Sequence, residues 1–154
     1  MFSWLELKVP PPFVALIAAG LMWFLSSKIG VASVDVPYKT VLCSLLVGLG
    51  LVVDFSALWQ FRQAKTTVNP VRPKNASALV TTGIYQYTRN PMYVGNFIFL
   101  TAYLIWLGSP YNVFCLALYV LYMNKFQIKP EERVLLGMFD GEYADFCANV
   151  RRWV

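Results

Sequence analysis

No histidine occurs anywhere in the 154 residues. A Ser-His-Asp relay, an HExxH zinc helix and a His-ligated haem are therefore excluded. Charge is scarce as well. Asp, Glu, Lys and Arg make up 14% of the chain, against roughly 25% in an ordinary soluble domain. The three cysteines, Cys43, Cys115 and Cys147, are far apart and form no CxxC pair. That removes thioredoxin-type redox chemistry and zinc knuckles, and no metal site is expected. Two of the three lie in apolar runs, where Cys behaves as a small hydrophobe.

What is present is apolar. Hydrophobic residues reach 58%, with 11 Phe, 9 Tyr and 5 Trp, which points to a small protein embedded in a membrane. The length suits one domain, 1–154. Charge-free intervals mark the spans. Nothing is charged between Lys8 and Lys28, and Pro10, Pro11 and Pro12 suit a turn, so a short first span is expected over 13–27. Between Lys39 and Arg62 the one charge is Asp54, giving a second span over 40–61. Asn90 to Asn124 carries no charge, and Gly108-Ser109-Pro110 splits it into spans over 91–107 and 111–127. The first run has Glu6 balancing Lys8 and no small-residue cleavage site after it, so it is expected to stay as a helix. The fold class expected is all-α: a polytopic bundle of about four transmembrane helices, with a cytoplasmic loop and C-terminal amphipathic helices.

Basic residues set the orientation. The 62–90 loop holds Arg62, Lys65, Arg72, Lys74 and Arg89 without an acid. The tail holds Lys125, Lys129, Arg133, Arg151 and Arg152. Both segments should face the cytoplasm, together with both termini, as in an integral protein of a bacterial inner membrane. Net charge +5 is then explained by anionic headgroups, and no nucleic-acid partner is expected.

Two cytoplasmic segments are richer than connections need to be. In the loop, Pro70 and Pro73 make an extended start, Gly83 permits a turn before an aromatic cluster of Tyr85, Tyr87 and Tyr93, and Arg89-Asn90-Pro91 opens the third span. A helix N-terminus with one Arg and several rings suits a ligand bearing a carboxylate and a cation. An interfacial aromatic belt would have the same composition. The second segment, expected as short helices within 130–152, opens with Pro130, Glu131 and Glu132, acids at the positive end of a helix. Leu135, Met138, Phe139, Tyr143, Phe146, Val150 and Trp153 form its apolar face, and Gly137 and Gly141 interrupt it. Asp54 is either a functional intramembrane acid or one that snorkels toward Arg62.

The runs LVTTGIYQYTRNPMYVG and PEERVLL-MF-GEYADF-ANVRRW resemble the isoprenylcysteine carboxyl methyltransferases and the related phospholipid methyltransferases. The resemblance runs from about Thr66 to the C-terminus; spans one and two match only in hydropathy. It implies a membrane enzyme that uses S-adenosylmethionine, with S-adenosylhomocysteine as product, on a lipophilic acceptor such as an isoprenylcysteine carboxylate, a lipid amine or a thiol. By the same resemblance the cofactor pocket would use Ser77, Ala78, Leu79, Val80, Tyr85, Asn90, Pro91, Met92, Tyr93, Glu131 and Glu132. Arg89 is expected to orient acceptor or cofactor as the catalytic residue. Two positions depart from the family. Asn90 stands where histidine is usual, a variant associated with bacterial members. Gln127, with Lys125 nearby, stands where a substrate-facing Arg is usual, which weakens the case for a carboxylate acceptor. A non-enzymatic membrane protein that binds lipid or assists assembly is the alternative, and a bundle this small can pair with a copy of itself.

Overall fold

Proline and glycine place the helix ends. In the computed structural model, which describes residues 5–28, 34–64 and 78–154, α1 runs Pro11–Lys28 and α2 runs Lys39–Gln63. A 3-10 turn, Gly83–Gln86, precedes α3, Pro91–Leu107. Pro91 fills the first turn of α3, where its missing N–H costs nothing, and Gly108 closes the helix in a left-handed conformation (φ 67°). Helix α4, Asn112–Tyr122, continues through a π-helical turn, Met123–Ile128, into α5, Lys129–Asn149. No strand occurs among the described residues.

Two of these helices, α1 and α2, are long and apolar enough to cross a membrane. At 1.5 Å per residue the 25 residues of α2 exceed the roughly 30 Å of a hydrocarbon core. Their outward faces carry Leu16, Ile17, Trp23, Leu45, Val52 and Phe55, all exposed. Such a surface is stable against lipid rather than water. The sequence expectation of four spans is thus met in length by two helices. At 17 residues α3 is shorter, and α4 gains length only by running on through the π turn.

Two cores lie inside the bundle. Val14 and Met22 of α1, Tyr93 and Leu100 of α3, and Cys115, Tyr119, Met123 and Ile128 form the first. The second joins Ala57 of α2, Val80, Tyr85, and Tyr143 and Phe146 of α5, at the end of α2 nearest the loop. Along the α2–α3 seam, Gly95 has no room for a side chain, because a Cβ there would collide with the Asp54 carboxylate.

The C-terminal segment differs from expectation in three ways. The break falls at Asp140 (φ 39°, ψ −116°), immediately before Gly141, and merges two helical pieces. That bend turns Met138 outward, 39% exposed, while Tyr143 and Phe146 are buried. Finally, the helix ends at Asn149 rather than near 152. Val150 is extended (φ −122°, ψ 136°) because the next two carbonyls serve the loop: Arg89 N–H donates to Arg151 O at 2.9 Å, and the Asn90 amide donates to Arg152 O at 2.9 Å.

The π turn has a visible use. A π-helical turn disturbs the regular backbone pairing of a helix. Here the Phe126 carbonyl accepts the Leu7 N–H at 3.0 Å, and Gln127 Nε2 donates to Val9 O at 2.6 Å. Glu6 also pairs with Arg133. The segment before α1 is thereby strapped onto the start of α5.

Candidate functional site at the loop rim

Three elements meet beside the N-terminus of α3: the 78–90 loop, the first turn of α5 and the returning tail. Thr88 is the hinge of the contact. Its hydroxyl donates to Arg152 O at 3.1 Å and accepts the Asn90 N–H at 3.2 Å. With the two Arg89 and Asn90 bonds above, the tail is stitched to the loop by backbone as well as side chains.

Charges are arranged unevenly on this frame. Arg152 grips Glu132 with two bonds, 2.8 and 2.7 Å, the bidentate geometry in which Arg binds carboxylates best. Arg89 approaches the same carboxylate at 3.1 Å, and the Arg89 and Glu132 side chains are only 10% and 12% exposed. Two guanidiniums thus share one carboxylate. Arg89 Nε is buried and has no partner, so this corner holds an uncompensated donor on a cation. The acceptance of Glu132 raises the Arg152 pKa further.

Glu131 faces different company. Its Oε2 accepts the Tyr93 hydroxyl at 2.8 Å, and no cation pairs with it among the described residues. Burial pushes its carboxyl up to about 7; the Tyr93 bond opposes the shift and the Glu132 charge adds to it. Tyr93 is buried and accepts, through its carbonyl, the Tyr119 hydroxyl at 3.4 Å. Tyr85 is buried edge-on against Phe61, with ring centroids 5.5 Å apart. Burial raises its hydroxyl pKa, and the Glu131 and Asp54 carboxylates raise it again.

The residues singled out in the sequence are distributed as follows. Arg89 pairs with Glu132 and Tyr93 bonds Glu131, two contacts brought side by side by the adjacent acids of α5. Val80 and Tyr85 belong to the adjoining core, with Leu79 packed on it. Met92 touches both cores, and Pro91 is fully buried. Ala78 is partly buried, and Ser77 lies outside the described residues. The Asn90 amide is committed to the tail. Gln127 sits one turn before Glu131, but it is fully buried under the segment before α1, with Oε1 unpartnered. Lys125 lies over the Phe126 ring at 5.2 Å.

Arg152, Thr88 and Tyr119 were missed in the sequence. The only hint was the Arg151-Arg152-Trp153 run, which reads equally well as rim charge. Its pairing with Glu132, 20 positions away, follows from the tail doubling back and not from any local spacing.

A family model described as phospholipid methyltransferase matches residues 38–142. A Saccharomyces cerevisiae protein named protein-S-isoprenylcysteine O-methyltransferase is 28% identical over 72% of this chain and 46% of its own length. Its namesake from Schizosaccharomyces pombe is 30% identical over 66% of this chain and 43% of its own. The chain therefore spans less than half the length of either yeast relative. An uncharacterized protein from Haemophilus influenzae is 35% identical over 41% of this chain and all of its own length. No solved structure matches.

Proposed function

The chain belongs to the phospholipid methyltransferase family, and on that premise we propose that it is a membrane methyltransferase that takes its methyl group from S-adenosylmethionine and passes it to a lipophilic acceptor. The observation that carries this reading is the split of charge at the rim. Arg89, paired with Glu132, has a buried, unpartnered Nε, while the adjacent Glu131 pairs with no cation among the described residues.

That pairing fits the amino-acid end of the cofactor. Arg89 would take its carboxylate and Glu131 its ammonium or a ribose hydroxyl. Tyr85 and Tyr93 offer ring faces suited to a sulfonium, with Ser77, Ala78, Leu79, Val80, Asn90, Pro91 and Met92 as further walls. When bound, the cofactor supplies a methyl on positive sulfur, which leaves neutral. The chain's own share is placement and exclusion of water, worth several kcal/mol of barrier in well-oriented systems. Tyr93 fixes the Glu131 rotamer by its hydrogen bond. Arg152 holds Glu132, and Glu132 in turn holds Arg89.

The same reading sets the protein in a bacterial inner membrane as one unit with four spans, α1 to α4, the last two being short. The 62–90 loop and both termini would be cytoplasmic. Cofactor would arrive from water and acceptor sideways from the bilayer. Thermal stability in detergent tests the donor site. S-adenosylhomocysteine should raise the wild-type midpoint, and Glu131→Ala should weaken its binding at least tenfold by calorimetry. Equal affinity in the two proteins would refute the assignment.

A further inference from the structure

Lys8 and Lys129 are used by none of the contacts described above. Both are exposed, and neither enters a salt bridge among the described residues. The fold nevertheless brings them to one corner. Leu7 and Val9, on either side of Lys8, bond Phe126 and Gln127, and Lys129 follows two residues after Gln127. Arg133 stands one turn beyond Lys129 on α5, with its side chain 64% exposed and paired to Glu6. Three cations and one carboxylate thus gather where the chain enters α1.

That corner belongs at a membrane surface. Lys8 precedes α1, a helix long and apolar enough to cross a bilayer, and headgroups lie where such a helix ends. Helix α5 is divided by charge as well. Before the break at Asp140 its exposed ionic side chains are Lys129 and Arg133, and from Asp140 onward they are Asp140, Glu142 and Asp145. By the helical repeat, Lys129, Arg133 and Leu136 share one face, and Leu136 is exposed on it. Leu135 and Phe139, on another face, pack into the second core. Cations flanking an exposed leucine suit a layer of anionic heads over hydrocarbon, which an anion or an acidic protein in water does not offer.

We propose that Lys8, Lys129 and Arg133 form a binding site for the head of an anionic phospholipid, whose phosphate diester is its one ionic group. The two ammonium groups meet the phosphate as point charges, and the Arg133 guanidinium adds a planar donor edge. Glu6 is engaged by Arg133 and so offers little to the cation of a zwitterionic head. The bound lipid bridges the segment before α1 and the start of α5, beside the two hydrogen bonds and the ion pair that already join them. The same first turns of α5 carry Glu131 and Glu132, so the lipid steadies the turn that presents them. The binding itself stands without the methyltransferase reading.

Native mass spectrometry of the purified full chain in detergent tests the site, with phosphatidylglycerol and phosphatidylcholine of the same acyl chains as probes. Wild type should bind phosphatidylglycerol at least tenfold tighter than phosphatidylcholine. Each lysine removed should weaken phosphatidylglycerol about fivefold, so Lys8→Gln combined with Lys129→Gln should abolish the preference. Arg62→Gln, which removes an exposed cation at the end of α2, should leave it intact. Equal binding of the two lipids by wild type, or a preference that survives in the double variant, would overturn the proposal. An equal loss with Arg62→Gln would also overturn it, because net charge and not this corner would then decide. Displacement of the lipid by equimolar inorganic phosphate or polyglutamate would make the ligand a soluble anion or an acidic protein, and refute the lipid. If the double variant does not fold, the wild-type order of the probes and the Arg62→Gln result decide.

Discussion

Glu131 keeps its proton up to about pH 7 because burial penalises its charge more than the Tyr93 bond relieves it. The sign of the stability effect follows. Between about 4.5 and 7 the folded chain holds a proton that the unfolded chain has lost, so stability falls as pH rises through that window. Binding of a cation moves the opposite way, since it needs the ionised form. S-adenosylhomocysteine should bind more tightly at pH 8 than at pH 6 in calorimetry, and Glu131→Gln should flatten both trends. The neighbouring Glu132 differs, being clamped by two guanidiniums. Glu132→Ala strands the buried Arg89 and should cost about 3 kcal/mol in chemical denaturation, as unpaired buried charges do. Arg152→Ala should cost nearer 1 kcal/mol, because the Arg152 side chain is 40% exposed and Glu132 retains Arg89.

Helices were legible in the sequence wherever charge, proline and glycine punctuate it. The charge-free runs located α1 to α3 to within two residues at each end, since apolar length is what a bilayer demands. Contacts between distant segments left no such mark. Nothing local says that the chain after Asn149 leaves the helix to bond the loop, or that a π turn at Met123–Ile128 holds the segment before α1. For the same reason Gln127, expected at the substrate, is found under Val9. Its role as an internal strut has a consequence. With one amide bond made and Oε1 unpartnered, Gln127→Met should change stability by less than about 1 kcal/mol, because the lost bond and the removed orphan offset each other. Turnover should survive. Loss of turnover with unchanged stability would support the substrate role.

At the scale of the whole molecule, the basic residues and the motif residues fall in the same two segments. On the proposed reading, positive charge at the rim both orients the protein and furnishes its site. If that orientation is right, Tyr111→Cys, at the exposed turn between α3 and α4, should react with a membrane-impermeant maleimide in intact cells. Arg151→Cys, exposed at the other face, should react only after lysis. The central claim is methyl transfer to a lipid, and mass spectrometry reads it directly. Membranes containing the protein are incubated with S-adenosylmethionine carrying a deuterated methyl group, and the lipid extract is searched for the label. Label in a lipid with wild type, and none with Arg89→Ala, is the result this account predicts. Wild-type membranes that bind S-adenosylhomocysteine yet leave every lipid unlabelled would contradict it.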